Sequence, residues 1–277
     1  MGGAAHFGDR LAAAVERKGA PLCVGLDPDP ALMPDGLGIV EFCRGIIDAV
    51  GEHAAAVKPQ AAFFEARGAD GWAALADVCG YAREAGLLVI ADAKRGDVPS
   101  TARAYVAAFA PLADAVTVNP YLGFDSLEPF LTCDGLGVFV VVKTSNPGSA
   151  DLQDLPLADG RPLWQHVAGL VDRWGADFIG ESGLSSVGAV VGATFPQEVA
   201  EARRLLPRSV LLLPGVGAQG ARAEDLGEAF AVGPAGALVS ASRSVLYADR
   251  GAGWQKAAAV EAERLAEELR ALAVAAG

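Results

Sequence analysis

The stretch LLVIADAKRGDVPST, residues 87 to 101, starts as an apolar run and ends with Asp92, Lys94, Arg95 and Asp97 inside six positions. In an extended chain, positions 92 and 94 share a face, so a carboxylate and an ammonium project together from the tip of the run. Arg95 falls on the opposite face, where a structural ion pair is its expected use. A buried pair of opposite charges contributes little to stability, because desolvation competes with attraction. Lys58, at the end of AAVKPQ, and Asp97 would extend the pair into an alternating network that holds all four groups ionised. Poised charges of this kind belong to sites that move protons or stabilise developing charge.

A second candidate lies late in the chain. PGVGAQG, residues 214 to 220, matches G-x-G-x-x-G in form. As a dinucleotide fingerprint it is weak, since the run that follows offers no acidic residue for a ribose. Gly215 and Gly217, with Arg243 beyond the next apolar run, suit a phosphate instead: backbone N–H groups and a guanidinium fork converge there. The bland alternative is a flexible loop beside a surface arginine.

Eight short apolar runs could position these groups, at 22–27, 55–60, 87–94, 115–120, 137–145, 187–194, 209–217 and 236–244. Near-continuous apolarity implies burial on both faces, as in a parallel sheet covered by helices, and eight alternating units favour an α/β fold of the closed (β/α)8 type, a TIM barrel. Such barrels assemble their sites at the C-terminal ends of the strands. The runs end in Asp27, Lys58, Asp92 with Lys94, Asn119, Lys143 with Ser145, Thr194, Gln219 and Arg243. Any one of these could simply meet water. Helices are expected at 8–18, 36–52, 64–85, 196–206 and 254–274, the last with Trp254, Ala258, Ala262, Leu265, Leu269 and Leu272 in one stripe. The polar segments 146–162 and 180–186 interrupt this rhythm and are expected on the ligand side as loops or lids. Without repeats or a linker, residues 1–277 read as one barrel domain.

Composition narrows the function. With 277 residues and 52% apolar content the chain can bury a large core, and a net charge of −12 argues against nucleic-acid backbones or anionic membranes as partners. Phosphate binding must then be local. Arginines outnumber lysines 17 to 5, yet Lys58, Lys94 and Lys143 all stand at the ends of apolar runs. Cys23, Cys43, Cys79 and Cys133 are scattered singly and read as reduced core residues of a cytoplasmic protein, with no signal segment and no bilayer-spanning run. His6, His53 and His166 are isolated, so neither a serine triad nor a histidine metal site is expected.

DAKRGDVPST resembles the D-x-K-x-x-D signature of the orotidine 5'-phosphate decarboxylase family. The resemblance continues through VGLDP at 24–28, VKPQAAFFE at 57–65, VNPYLG at 118–123, VKTSNPG at 142–148, VVGAT at 190–194, PGVGAQG at 214–220 and SRS at 242–244. The KPQ and NPYLG forms look like its long bacterial subclass. It implies a phosphate-binding barrel that converts orotidine 5'-phosphate to UMP and CO2 in de novo pyrimidine biosynthesis, without cofactor or metal. Lys58, Asp92, Lys94 and Asp97 would form the catalytic network, with Lys94 as proton donor and Asp92 either repelling the substrate carboxylate or fixing Lys94. A homodimer is implied, in which Asp97 and Thr101 cross into the partner's site. Asp27 would contact the ribose, Ser145 the pyrimidine, and Gln219 and Arg243 the phosphate, with Asn119, Gly215, Gly217 and Ser242 as further substrate contacts. Ser242 departs from the glycine common there, but is small enough to leave a backbone contact open.

Two rivals share parts of this pattern. Sugar-phosphate decarboxylases and aldolases of the same suprafamily, such as 3-keto-L-gulonate 6-phosphate decarboxylase, carry D-x-K-x-x-D but hold Mg2+ with a Glu where this chain has Lys58. The other rival is a nucleotide-binding barrel without turnover.

Overall fold

The structure, a computed structural model, describes residues 5–217 and 220–276. Eight strands close into a barrel in chain order: β1 (Leu22–Leu26), β2 (Ala56–Pro59), β3 (Leu88–Arg95), β4 (Ala115–Val118), β5 (Gly137–Lys143), β6 (Ser185–Val191), β7 (Ser209–Pro214) and β8 (Ala237–Ala241). Each pairs in parallel with its neighbours, and β8 closes on β1. The (β/α)8 expectation holds. Most of the expected runs, though not the third, extend past the polar ends of the strands, where the chain leaves the ladder for the loops at the mouth.

Ten helices accompany the strands among the described residues: α1 (Phe7–Lys18), α2 (Ile39–Val50), α3 (Ala61–Glu65), α4 (Gly68–Glu84), α5 (Pro99–Phe109), α6 (Phe124–Leu131), α7 (Leu163–Gly175), α8 (Pro196–Leu205), α9 (Arg243–Leu246) and α10 (Trp254–Ala276). The helix expected at 64–85 is two helices, divided at Gly68, whose φ of +65° breaks the helical path. Alternation along each strand sorts the core into two layers. Leu22, Val24, Val57, Val89, Val116, Val138 and Val140 face the helices. Cys23, Ala56, Ile90, Ala115, Phe139, Val190, Leu212 and Leu238 fill the barrel with Phe7 and Leu11 of α1.

α1 seals the N-terminal end of the barrel. Its Phe7 ring meets Phe139 edge-on at 5.8 Å, and Gly137 makes the space: a Cβ there would stand 2.4 Å from the Phe7 ring. The segment 180–186 also lies at this sealed end, since it enters β6 from its N-terminal side. Asp9 of α1 accepts hydrogen bonds from the backbone of Glu181 (3.1 Å) and Ser182 (2.7 Å), and His6 bonds the Phe178 carbonyl at 2.9 Å. This corrects the expectation of a ligand-side lid. A segment before a strand reaches the opposite end of the barrel from one that follows it.

The 146–162 segment, which follows β5, does lie at the C-terminal end. Gln153 bonds the backbone N–H of Thr144 at 2.9 Å and its hydroxyl at 2.8 Å, and Asp154 accepts from Lys143 at 2.6 Å. No helix among the described residues is long and apolar enough to cross a membrane.

Candidate active site

Inward-facing positions change character along each strand. β2 runs from Ala56 to Lys58, β3 from Ile90 to Asp92, β4 from Ala115 to Thr117, and β5 from Phe139 to Lys143. A cavity of about 240 Å³ opens at the polar ends, lined by Lys58, Asp92, Lys94, Thr117, Lys143 and Ser145 among others.

Asp92 is its centre. The side chain is almost wholly buried, and its two oxygens accept from four donors: Lys58 at 2.6 Å and Gln60 at 3.1 Å on Oδ2, and Thr117 at 2.9 Å and Lys94 on Oδ1. Burial alone would raise its pKa, but the Lys58 and Lys94 ammoniums outweigh burial and hold the carboxyl well below the usual range. Lys58 is also buried, which favours its neutral form. Asp92, with Asp27 behind it, reverses that and pushes the pKa up to about 12. The pair is therefore fixed in its charged form.

Lys94 differs from Lys58. Its side chain is 42% exposed, and its backbone sits at φ +47°, the one non-glycine residue at positive φ among those described. An L-residue there costs about 1–2 kcal/mol. The β3–β4 register shifts between Ala91 and Arg95, so Lys94 lies in a bulge rather than a regular strand. Asp92 and Lys94 do meet, as same-face alternation predicts, but through that irregular turn. Arg95 turns away as expected: it pairs with Glu65 and lies over the Tyr105 and Phe109 rings.

Asp97 accepts from the backbone N–H of Val98 at 2.7 Å at the start of α5, and Thr101 lies in that helix's first turn. Neither lines the cavity of this chain. Asn119 is exposed and accepts from the Tyr121 N–H at 3.1 Å, so it closes its own turn and is not brought to the cavity. Asp27 accepts from the Ser242 hydroxyl, and Gly25 leaves room for that approach: a Cβ there would lie 2.8 Å from the Ser242 Cβ. Asp27 Oδ1, Thr194 Oγ1 and Ser244 Oγ are buried at this end without a hydrogen-bond partner, which suits a polar ligand.

Gly215 (φ +114°) and Gly217 (φ +81°) bend the backbone after β7 in conformations that need glycine. Arg243, exposed, opens α9 nearby, while Gln219 lies outside the described residues. A larger cavity of about 670 Å³ lies between α10 and the residues Val216, Gly217 and 220–224. Its charged residues include Arg264, Glu268 and Glu224, and neither Lys58 nor Lys94 lines it.

Gln60 and Thr117 are the site residues that the sequence reading passed over. Both were findable. Gln60 stands two residues beyond Lys58 and Thr117 two before Asn119, on the same inward parity.

The fold and the site together define a (β/α)8 barrel with a Lys–Asp–Lys network at its mouth and a glycine-rich turn beside an arginine. Residues 20–257 match the Orotidine 5'-phosphate decarboxylase / HUMPS family, and the chain belongs to it. It is 49% identical to the orotidine 5'-phosphate decarboxylase of Roseiflexus castenholzii over 275 residues, 96% of this chain and 98% of that one. The Haloarcula marismortui enzyme of the same name is 46% identical over 285 residues, covering 95% and 98%. The solved structure of Leishmania donovani OMP decarboxylase superposes with a TM-score of 0.81 at 38% identity, over 97% of this chain and 99% of that one.

Proposed function

We propose that the protein is a carboxy-lyase that converts orotidine 5'-phosphate to UMP and CO2 in pyrimidine biosynthesis, without metal or organic cofactor. The observation that carries the mechanism is the Asp92 carboxylate shared by Lys58 and Lys94 at the floor of the cavity. When the C6–CO2 bond breaks, its electron pair stays on C6. The Lys94 ammonium stabilises that charge and transfers a proton to C6, and the amine recovers a proton from water. Four donors already satisfy Asp92, which favours a role in holding Lys94 over a role confined to repelling the substrate. Asp27 takes the ribose hydroxyls through its unpartnered oxygen, Ser145 the pyrimidine, and Arg243 with the Gly215, Gly217 and Ser242 backbone and Gln219 the phosphate.

The active unit in this reading is a homodimer. Val98, Tyr121, Leu122 and Phe124 are exposed beside Asp97 and Thr101, an apolar surface that a second copy would cover while delivering its own Asp97 and Thr101. The test is UMP formation from orotidine 5'-phosphate in excess EDTA. Turnover at the rate seen without EDTA is expected. Activity that needs added Mg2+ would favour a sugar-phosphate lyase, and UMP binding without turnover a non-catalytic barrel.

A further inference from the structure

The Lys94 main chain has an unusual problem. In a regular parallel ladder its N–H would bond a neighbouring strand's carbonyl, but the register shift between Ala91 and Arg95 removes that arrangement. The N–H instead donates to Thr117 Oγ1 at 2.9 Å. The same hydroxyl has one proton to give, and it goes to Asp92 Oδ1 at 2.9 Å. Thr117 is 1% exposed on the inner face of β4, so water does not compete for either bond.

One hydroxyl therefore joins the two halves of the catalytic pair from behind. It accepts from the backbone that carries the ammonium and donates to the carboxylate that the ammonium contacts. Lys94 is the residue at positive φ, and its long side chain is substantially exposed, so its position relative to Asp92 depends on that backbone. Asp92 is held by three other donors, whereas the Lys94 main chain at this point is held by Thr117.

We infer that Thr117 is a positioning residue: its hydroxyl holds Lys94 in the left-handed conformation that aims the ammonium at the reacting carbon. The inference rests on the reading of Lys94 as the proton donor. Asn119, the residue just beyond the same strand that was first expected at the substrate, makes neither of these bonds.

Four variants separate the possibilities. Thr117→Val keeps the shape and removes the hydroxyl, Thr117→Ala removes both, Thr117→Ser keeps the hydroxyl and loses a methyl, and Lys94→Ala removes the ammonium. For each, kcat and KM for orotidine 5'-phosphate and the dissociation constant of UMP are measured on the folded fraction. For Thr117→Val the expected result is a fall in kcat of about 10- to 100-fold, with KM and UMP binding within about threefold of the native protein. Thr117→Ser restores kcat to within about threefold. Should Thr117→Val not fold, the comparison of Thr117→Ala with Thr117→Ser isolates the hydroxyl, and Ser must exceed Ala by about tenfold or more. Equal kcat for Ser and Ala, or native kcat in Thr117→Val, overturns the inference while leaving Lys94 in its role. Native turnover in Lys94→Ala overturns both.

Discussion

The two ends of this barrel are made from the same eight strands and differ in whether their buried polar groups find partners within the chain. At the N-terminal end, α1 closes the interior with Phe7 against Phe139, and His6 and Asp9 tie down the 178–182 backbone. Among the described residues, no buried side-chain nitrogen or oxygen at this end lacks a partner. At the C-terminal end the interior turns to Lys58, Asp92, Thr117 and Lys143, Lys94 sits at positive φ with a half-exposed side chain, and four buried side-chain oxygens, on Asp27, Thr194, Glu198 and Ser244, lack partners. Closed apolar packing marks one end, and buried charge with a left-handed lysine marks the other. That division is what a site needs: the sealed end supplies the rigidity against which the open end stays strained, charged and ready for a ligand.

The largest expected effect is at Lys94. Lys94→Ala and Lys94→Gly should each lose about 4 kcal/mol of transition-state stabilisation, roughly a thousandfold in kcat. Their stabilities sharpen the comparison further. Glycine relieves the left-handed strain, so Lys94→Gly should unfold at higher urea than Lys94→Ala, by about 1 kcal/mol. The reverse order would mean that Lys94 is not strained.

At the sealed end the effect should fall on stability alone. Phe7→Ala empties the packing against Phe139 and should cost about 3–5 kcal/mol by urea denaturation, with kcat per folded molecule unchanged. A large loss of kcat would erase the distinction between the ends. Arg243→Ala, remote from the reacting carbon, should lower kcat/KM about 10- to 100-fold by removing a charge-assisted phosphate contact. An unchanged kcat/KM would remove the arginine from the site.

The smallest effect is a predicted constancy. Asp92 is held below the usual carboxylate range, so its ionic contribution is complete above about pH 4 and is lost only as pH falls through its lower folded value. Lys58, raised to about 12, keeps its contribution below its ordinary range and loses it as pH rises through about 12. The stability gap between the native protein and the double variant Lys58→Met/Asp92→Asn, which removes both buried charges together, should therefore stay constant from about pH 5 to 9 and narrow below about pH 4. A gap that changes near neutrality would show that the pair titrates.

The barrel was legible in the sequence because both faces of its strands are buried, which leaves eight apolar runs with little ambiguity. Lys58, Asp92 and Lys94 were legible because lysine is scarce in this chain and clusters at those tips. The 180–186 segment was misplaced, since composition marks an insertion without saying which end of a strand it adjoins. Asn119 shows a related limit: polarity at a strand tip looks the same whether the side chain meets a ligand or accepts a hydrogen bond from its own turn, as it does from the Tyr121 N–H. Thr117 was missed because a threonine inside AVTV looks like an ordinary β-former, and its role appears only when the Lys94 bulge brings an N–H to its hydroxyl. The proposed homodimer follows neither from periodicity nor from the packing within one chain.

The most direct test of an open end completed by a second copy is complementation. Lys94→Ala and Asp97→Ala, each inactive alone, are co-expressed with different tags, and the mixed dimer population is assayed for UMP formation. Half of the dimers would be hybrids, and one of their two sites would combine an intact Lys94 with the partner's intact Asp97. The predicted activity is about a quarter of the native value. Failure to exceed the activity of the separate variants, or full activity in a monomeric native protein, would contradict a site shared between two chains.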